Sequence, residues 1–168
     1  YESEVLKEKL LASHYVYEED SPDIVIINTC SVTNIADQKS RKMVRQFKKK
    51  HPNAVLVVAG CSSFHKQEEY QAMGIDILLG NQKKSQIVEL LEEYFQSHQP
   101  YVFFSKSRQL PFEDMQIDKF TTHTRAYVKV QDGCDNFCSY CIIPYVRGSI
   151  RSKDFQTAIQ EVQTLVLN

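Results

Sequence analysis

DIVIIN, residues 23–28, sets four consecutive β-branched residues between an aspartate and an asparagine. A short apolar run bounded by turn formers reads as a buried strand. Two further stretches repeat the pattern: AVLVVAG at 54–60 and IDILLG at 75–80. Amphipathic segments lie between and after them, predicting helices over 34–49, 65–73 and 85–95, the last with Ile87, Leu90, Leu91 and Tyr94 on one stripe. Strands alternating with helices predict an α/β fold, an open parallel sheet flanked by helices. An opening helix over 2–14 has no strand before it, so the chain is expected to begin inside its first unit.

The pattern dissolves after residue 96. Residues 97–123 hold two prolines and no sustained period, and read as an inter-domain connection. RAYVKV, 125–130, then alternates as a strand, and 154–167 reads as a helix. Its apolar positions Phe155, Ile159, Val162 and Val166 follow helical spacing and should lie against a neighbour. The expected division is therefore a domain over 1–96, a linker over 97–123, and over 124–168 the first βα unit of a second domain.

Lys plus Arg number 20 and Asp plus Glu 21, giving a net charge of -1, and 42% of residues are hydrophobic. This is ordinary soluble globular composition, so any basic surface must be local. No apolar run approaches the roughly 20 residues that span a bilayer. The opening YESEVLKEKL has neither the basic nor the apolar region of a secretory signal, so the default expectation is cytoplasmic, without membrane attachment.

Three of the five cysteines crowd into GCDNFCSYC, 133–141, at the spacing C-x3-C-x2-C: Cys134, Cys138 and Cys141. Such crowding suits no disulfide framework, and in a reducing compartment points to metal ligation or catalysis. Three thiolates on one loop can hold three irons of an iron–sulfur cube and leave the fourth open. A zinc site with His123 or Asp135 as fourth ligand is the alternative, though zinc modules normally draw on a distant second pair. The other two cysteines, Cys30 and Cys61, each fall just beyond the carboxyl end of an expected strand. Ligands bind along that edge in open parallel sheets, so the two thiols can meet there.

The C-x3-C-x2-C loop, with Tyr140 before its last cysteine, resembles the radical S-adenosylmethionine enzymes. NTCSVTNIADQKSRK (28–42), VVAGC (57–61) and RAYVKVQDGCDNFCSYCIIPYVRGSIRS (125–152) together resemble the methylthiotransferases, radical enzymes that insert sulfur and a methyl group into C–H bonds. The resemblance implies two [4Fe–4S] clusters. Cys134, Cys138 and Cys141, with Tyr140 beside them, would hold the one that binds S-adenosyl-L-methionine, on the first strand of a (β/α) barrel. Cys30 and Cys61 would give two of three thiols to the other. In the family the third lies in a T-L-G-C-K-V-N-x-Y-E-S type motif, whose tail is the opening YES. That cysteine, the rest of the barrel and a small RNA-binding domain are accordingly expected outside this sequence, and the fragment alone is expected to be inactive.

Val32, Thr33 and Asn34 after the first cysteine are most similar to the branch acting on threonylcarbamoyladenosine beside the tRNA anticodon. The branches acting on isopentenyladenosine and on a ribosomal-protein aspartate are the alternatives, and a non-catalytic zinc-binding RNA module is the alternative of another class. The implied partners are the tRNA anticodon loop, whose bases can be splayed out, and a flavodoxin- or ferredoxin-type electron donor; DNA is not among them. The basic run KSRKMVRQFKKK, 39–50, reads as a solvated helix face before it reads as an RNA contact. Arg147 and Arg151 also follow the thiol loop as basic residues, and Arg147, directly after it, is the stronger candidate for a site role. His14, His51, His65 and His98 read as surface or loop residues, and Tyr127 and Phe137 as packing around the cluster.

Overall fold

The structure, a computed structural model, describes residues 1–105, 110–120 and 125–168. His123, a candidate zinc ligand, lies outside the described residues. The chain runs α1 (Glu2–Ala12), β1 (Ile24–Thr29), α2 (Asn34–Lys50), β2 (Val55–Gly60), α3 (Cys61–His65), α4 (Gln67–Gln71) and β3 (Ile77–Leu79). A single 3-10 turn (Lys84–Gln86) leads into α5 (Ile87–Ser97), followed by β4 (Tyr101–Phe103), β5 (Gln131–Asp132), α6 (Ile143–Val146), β6 (Arg151–Ser152) and α7 (Phe155–Leu167).

Strands β1 to β4 form one parallel sheet in sequence order. Alternate side chains of β2 enter opposite cores, as the two-residue period of a strand requires. Val57 and Ala59 join Ile77, Leu79, Val5 and Leu6 of α1 and Ile87, Leu90 and Leu91 of α5 on one face. Leu56 and Val58 join Val25, Ile27, Leu78, Val44 of α2 and Tyr70 of α4 on the other. The result is a sheet with helices on both faces, as the alternating pattern predicts. Full burial of a side chain such as Leu91 is worth about 1.5–3 kcal/mol, so these two cores carry the fold.

The helix predicted over 65–73 is two short pieces, because Lys66 adopts φ -118°, ψ 44° between them. Residues 101–103, read as part of a linker, instead add the fourth strand, pairing Tyr101 with Ile77 and Phe103 with Leu79. Three residues are too few to show a period, which is why the sequence hides this edge strand. RAYVKV, 125–130, carries no strand pairing, contrary to expectation. A strand is stabilised by its ladder, and only Gln131 and Asp132 find one, antiparallel to Ser152 and Arg151. One further bond, Lys153 N–H to Val130 O at 2.9 Å, extends it.

Helix α7 forms where predicted, with Asp154 capping it by accepting from Thr157 N–H at 3.0 Å. Its buried side is the reverse of the expected one. Phe155 and Val166 are 72% and 79% exposed, Ile159 and Val162 are also exposed, and the buried residue is Glu161. The cause is a polar anchor. Glu161 bonds Lys153, accepts from the Tyr1 hydroxyl at 2.7 Å and from Ile117 N–H at 3.2 Å, while Lys153 donates to Met115 O at 2.8 Å. Burial and the Glu161 carboxylate together push the Tyr1 phenol far above its ordinary range.

Candidate metal centre

Thr29 pairs with Gly60 in the β1–β2 ladder, so Cys30 and Cys61 are the next residue along two adjacent strands. The register places both at the carboxyl edge of the sheet. Cys30 is exposed and Cys61 buried, and neither is in a disulfide. Ser40 of α2 fixes the Cys30 backbone from both sides: its hydroxyl accepts from Cys30 N–H at 3.1 Å and lies 3.3 Å from Cys30 O. Thr33 caps α2, its side chain accepting from Ala36 N–H at 3.1 Å, so the loop carrying Cys30 turns directly into that helix.

Cys61 leaves β2 through a turn open only to glycine. Gly60 has φ +116°, and a Cβ there would stand 2.3 Å from Thr29 O. Cys61 Sγ then lies 3.4 Å from Asn81 Oδ1, and the Asn81 side-chain amide donates to Val146 O at 2.7 Å. Val146 belongs to α6, the short helix that follows Cys141. The buried thiol of the sheet is thus tied, through one asparagine, to the chain leaving the C-x3-C-x2-C loop.

That loop is pinned at its start. Gly133 has φ +76°, and a Cβ there would stand 2.1 Å from Ser149 O; the next residue, Cys134, donates its N–H to Gly148 O at 3.1 Å. Cys141 N–H donates to Cys138 O at 2.9 Å, tightening the other end. Cys138 is exposed and Cys134 and Cys141 are half-buried, all with free thiols. Among the described residues no three His, Cys, Asp or Glu side chains already stand together in ligating geometry. Three free sulfurs on one pinned loop are nevertheless the donor set an iron–sulfur cube takes. Tyr140 is 90% exposed, Phe137 stacks edge-on with Tyr145 at 5.6 Å, and Tyr127 meets Phe120 edge-on at 6.3 Å.

A charge network joins this loop to the sheet. Glu2 contacts Lys84 and Lys129 at 2.6 Å each and Arg147 at 3.7 Å. Asp132 contacts Lys129 and Arg147 at 2.8 Å and Arg151 at 3.3 Å. Burial alone would raise the Glu2 carboxyl, but Lys84, Lys129 and Arg147 outweigh it and hold it far below the usual carboxylate range. Asp132 is lowered in the same way, burial opposing and Arg147 and Lys129 prevailing. Arg147 and Arg151, candidates for RNA contact, are therefore engaged within the protein, Arg151 also donating to Arg147 O at 2.7 Å.

The basic helix α2 runs away from the candidate centre. Its terminal Lys48, Lys49 and Lys50 are exposed, at the end where the helix dipole favours cations, and Lys48 reaches Gly74 O at 2.5 Å. His14, His65 and His98 are exposed, as expected, and His51 is half-buried. Sequence reasoning passed over Asn81, Glu2, Lys84 and Ser40. Asn81 carries one legible signal: it follows IDILLG as Cys30 and Cys61 follow their strands.

A family model described as "Uncharacterized protein family UPF0004" matches residues 1–80. The chain is 37% identical over 150 residues to the threonylcarbamoyladenosine tRNA methylthiotransferase MtaB of Bacillus subtilis, covering 88% of this chain and 33% of that protein. It is 34% identical over 173 residues to the protein of that name from Aquifex aeolicus, covering 98% and 41%. It is also 34% identical over 154 residues to the tRNA-2-methylthio-N(6)-dimethylallyladenosine synthase of Clostridium novyi, covering 88% and 34%. The chain thus spans a third to two-fifths of the length of these relatives.

Proposed function

Since the chain belongs to the methylthiotransferase family, we propose that it is the cluster-bearing part of an enzyme that places a methylthio group on carbon 2 of threonylcarbamoyladenosine beside the tRNA anticodon. The observation that carries this reading is the link from Cys61 through Asn81 to Val146, which holds the sheet edge against α6, the helix that leaves the loop of Cys134, Cys138 and Cys141. Sulfur transfer to an unactivated carbon needs a sulfur source and a radical source side by side.

Cys134, Cys138 and Cys141 would hold the [4Fe–4S] cluster that meets S-adenosyl-L-methionine, and Cys30 and Cys61 would give two ligands to a second. Bound there, the clusters and S-adenosyl-L-methionine supply the radical that activates the base and the sulfur and methyl that replace its hydrogen. The protein's part is position and shielding. Gly133 lets the loop pass against Gly148 and Ser149, and Ser40 fixes the backbone at Cys30. Phe137 and Tyr145 form an aromatic wall by the loop, and Tyr140 projects from it into solvent, where a bound cofactor can meet it.

In this reading residues 1–96 and 124–168 belong to two domains joined by 97–123, with β4 carried in the join. The partners are an anticodon loop and a flavodoxin- or ferredoxin-type donor, and the setting is cytoplasmic. No helix among the described residues is long and apolar enough to cross a membrane. Nucleoside mass spectrometry of tRNA from cells lacking the full-length protein tests the substrate. Loss of the methylthio group from threonylcarbamoyladenosine alone is expected, and its loss from isopentenyladenosine instead refutes the reading. Anaerobic reconstitution of the full-length protein tests the clusters: about four irons should disappear when Cys134, Cys138 and Cys141 are all changed to alanine. Unchanged iron, or one zinc in its place, refutes the assignment.

A further inference from the structure

A cleft of about 230 Å³ opens beside the candidate centre, lined by Ser31, Asn34, Gln38, Arg41, Lys66 and Ile142 among others. Two of these follow candidate ligands directly, Ser31 after Cys30 and Ile142 after Cys141. The cleft therefore lies between the two cysteine-bearing loops. Its lining is polar, and two of its donors are unsatisfied. Ser31 is 7% exposed and its hydroxyl has no hydrogen-bond partner among the described residues. Arg41 Nε is likewise buried and unpaired, although the other guanidinium nitrogens hold Glu69 at 2.6 Å and Asp37 at 2.9 Å. Buried donors are almost always paired, so two of them in one cleft mark a missing acceptor.

The acceptor is anionic by the company it would keep. Lys66, which Glu69 meets only at 3.9 Å, and Arg41 supply cations, and the 17-residue helix α2 points its N-terminus here. Asp37 also lines the cleft, but its carboxylate is engaged by Ser62 and Arg41. We propose that this cleft receives the threonyl carboxylate of the substrate base, with Ser31 and Arg41 as the donors that recognise it. The proposal rests on the substrate reading above and adds the residues that would enforce it. A hydrocarbon arm such as isopentenyl offers neither donor an acceptor, so the same two residues would discriminate between the arms.

The test uses the full-length, anaerobically reconstituted protein and its Ser31→Ala and Arg41→Lys variants. Equilibrium binding is measured to three probes: an anticodon stem-loop RNA carrying threonylcarbamoyladenosine, the same RNA with plain adenosine, and S-adenosyl-L-methionine. Each variant should weaken binding of the modified RNA about tenfold and leave the other two probes unchanged. Ser31→Ala removes a single unpartnered hydroxyl and so guards against a folding defect in Arg41→Lys, whose guanidinium also ties α2 to Glu69. Equal weakening of both RNAs would make the cleft a phosphate contact, weakened S-adenosyl-L-methionine would assign it to the cofactor's carboxylate, and unchanged binding would leave it without a ligand; each overturns the proposal. If the unmutated protein prefers threonylcarbamoyl RNA while the variants behave normally, only the cleft assignment falls. If it instead methylthiolates isopentenyladenosine RNA, the substrate reading falls with it.

Discussion

Replacing Glu2 by glutamine should be among the most damaging single-atom changes in the molecule. Lys84 has a 1% exposed side chain, and its ammonium rests on Glu2 at 2.6 Å and on Asn28 Oδ1 at 3.2 Å. Lys129 and Arg147 keep Asp132 when the Glu2 charge is lost, each at 2.8 Å. Lys84 alone is stranded. Breaking a buried pair by removing one partner costs about 3–5 kcal/mol, and with the Asn28 side-chain carbonyl and the new amide oxygen still present the lower figure, about 3 kcal/mol, applies. With a urea slope near 2 kcal/mol/M, the unfolding midpoint should fall by about 1.5 M. Adding Lys84→Met removes the stranded charge and should restore at least half of that loss, about 1.5 kcal/mol. Acid gives an independent reading of the same group. The folded carboxyl of Glu2 is held well below its unfolded value near 4.3, so its contribution is complete above about pH 4.3 and drains as pH falls towards the folded value. The unmutated protein should lose stability steeply below about pH 4.5, and Glu2→Gln less steeply. A midpoint shift under 0.5 M, or a double variant no better than Glu2→Gln, would refute the reasoning.

Two other substitutions probe the candidate centre. Gly60→Ala would drive a methyl into Thr29 O and strain a φ of +116°, so a loss of about 2 kcal/mol or more is expected in thermal unfolding; unchanged melting would show that the turn from β2 into α3 is looser than described. Asn81→Leu would leave Val146 O unpaired and free Cys61, costing about 1–3 kcal/mol, and the Cys61 thiol should react faster with a disulfide reagent in a variant whose other cysteines are serine. No change in that rate would argue that the asparagine does not hold the thiol.

The sheet was legible because β1, β2 and β3 lie in runs of β-branched and aliphatic residues, and α2 because an amphipathic segment fills the interval between two of them. Cys30 and Cys61 could be set on one edge from sequence, since each ends such a run. β4 escaped because a three-residue edge strand has no period. The strand over 125–130 was over-read: alternation shows that a strand would fit, but not that a partner exists. In α7 the apolar stripe pointed one way and a single buried glutamate the other, and the ion pair to Lys153 decided it. Nothing local marks Glu2 or Lys84, whose partners lie far away in the chain. Their roles exist only once the fold brings those segments together.

The first two side chains of the sequence face different tasks. Tyr1 reaches Glu161 on the last helix, and Glu2 reaches the turn before α5 and the approach to the thiol loop. Two neighbouring residues therefore act as a double-ended rivet, fastening the far C-terminal helix with one head and the loop region with the other. Losing both side chains would loosen both joints at once, at positions that take no part in any strand pairing of the sheet.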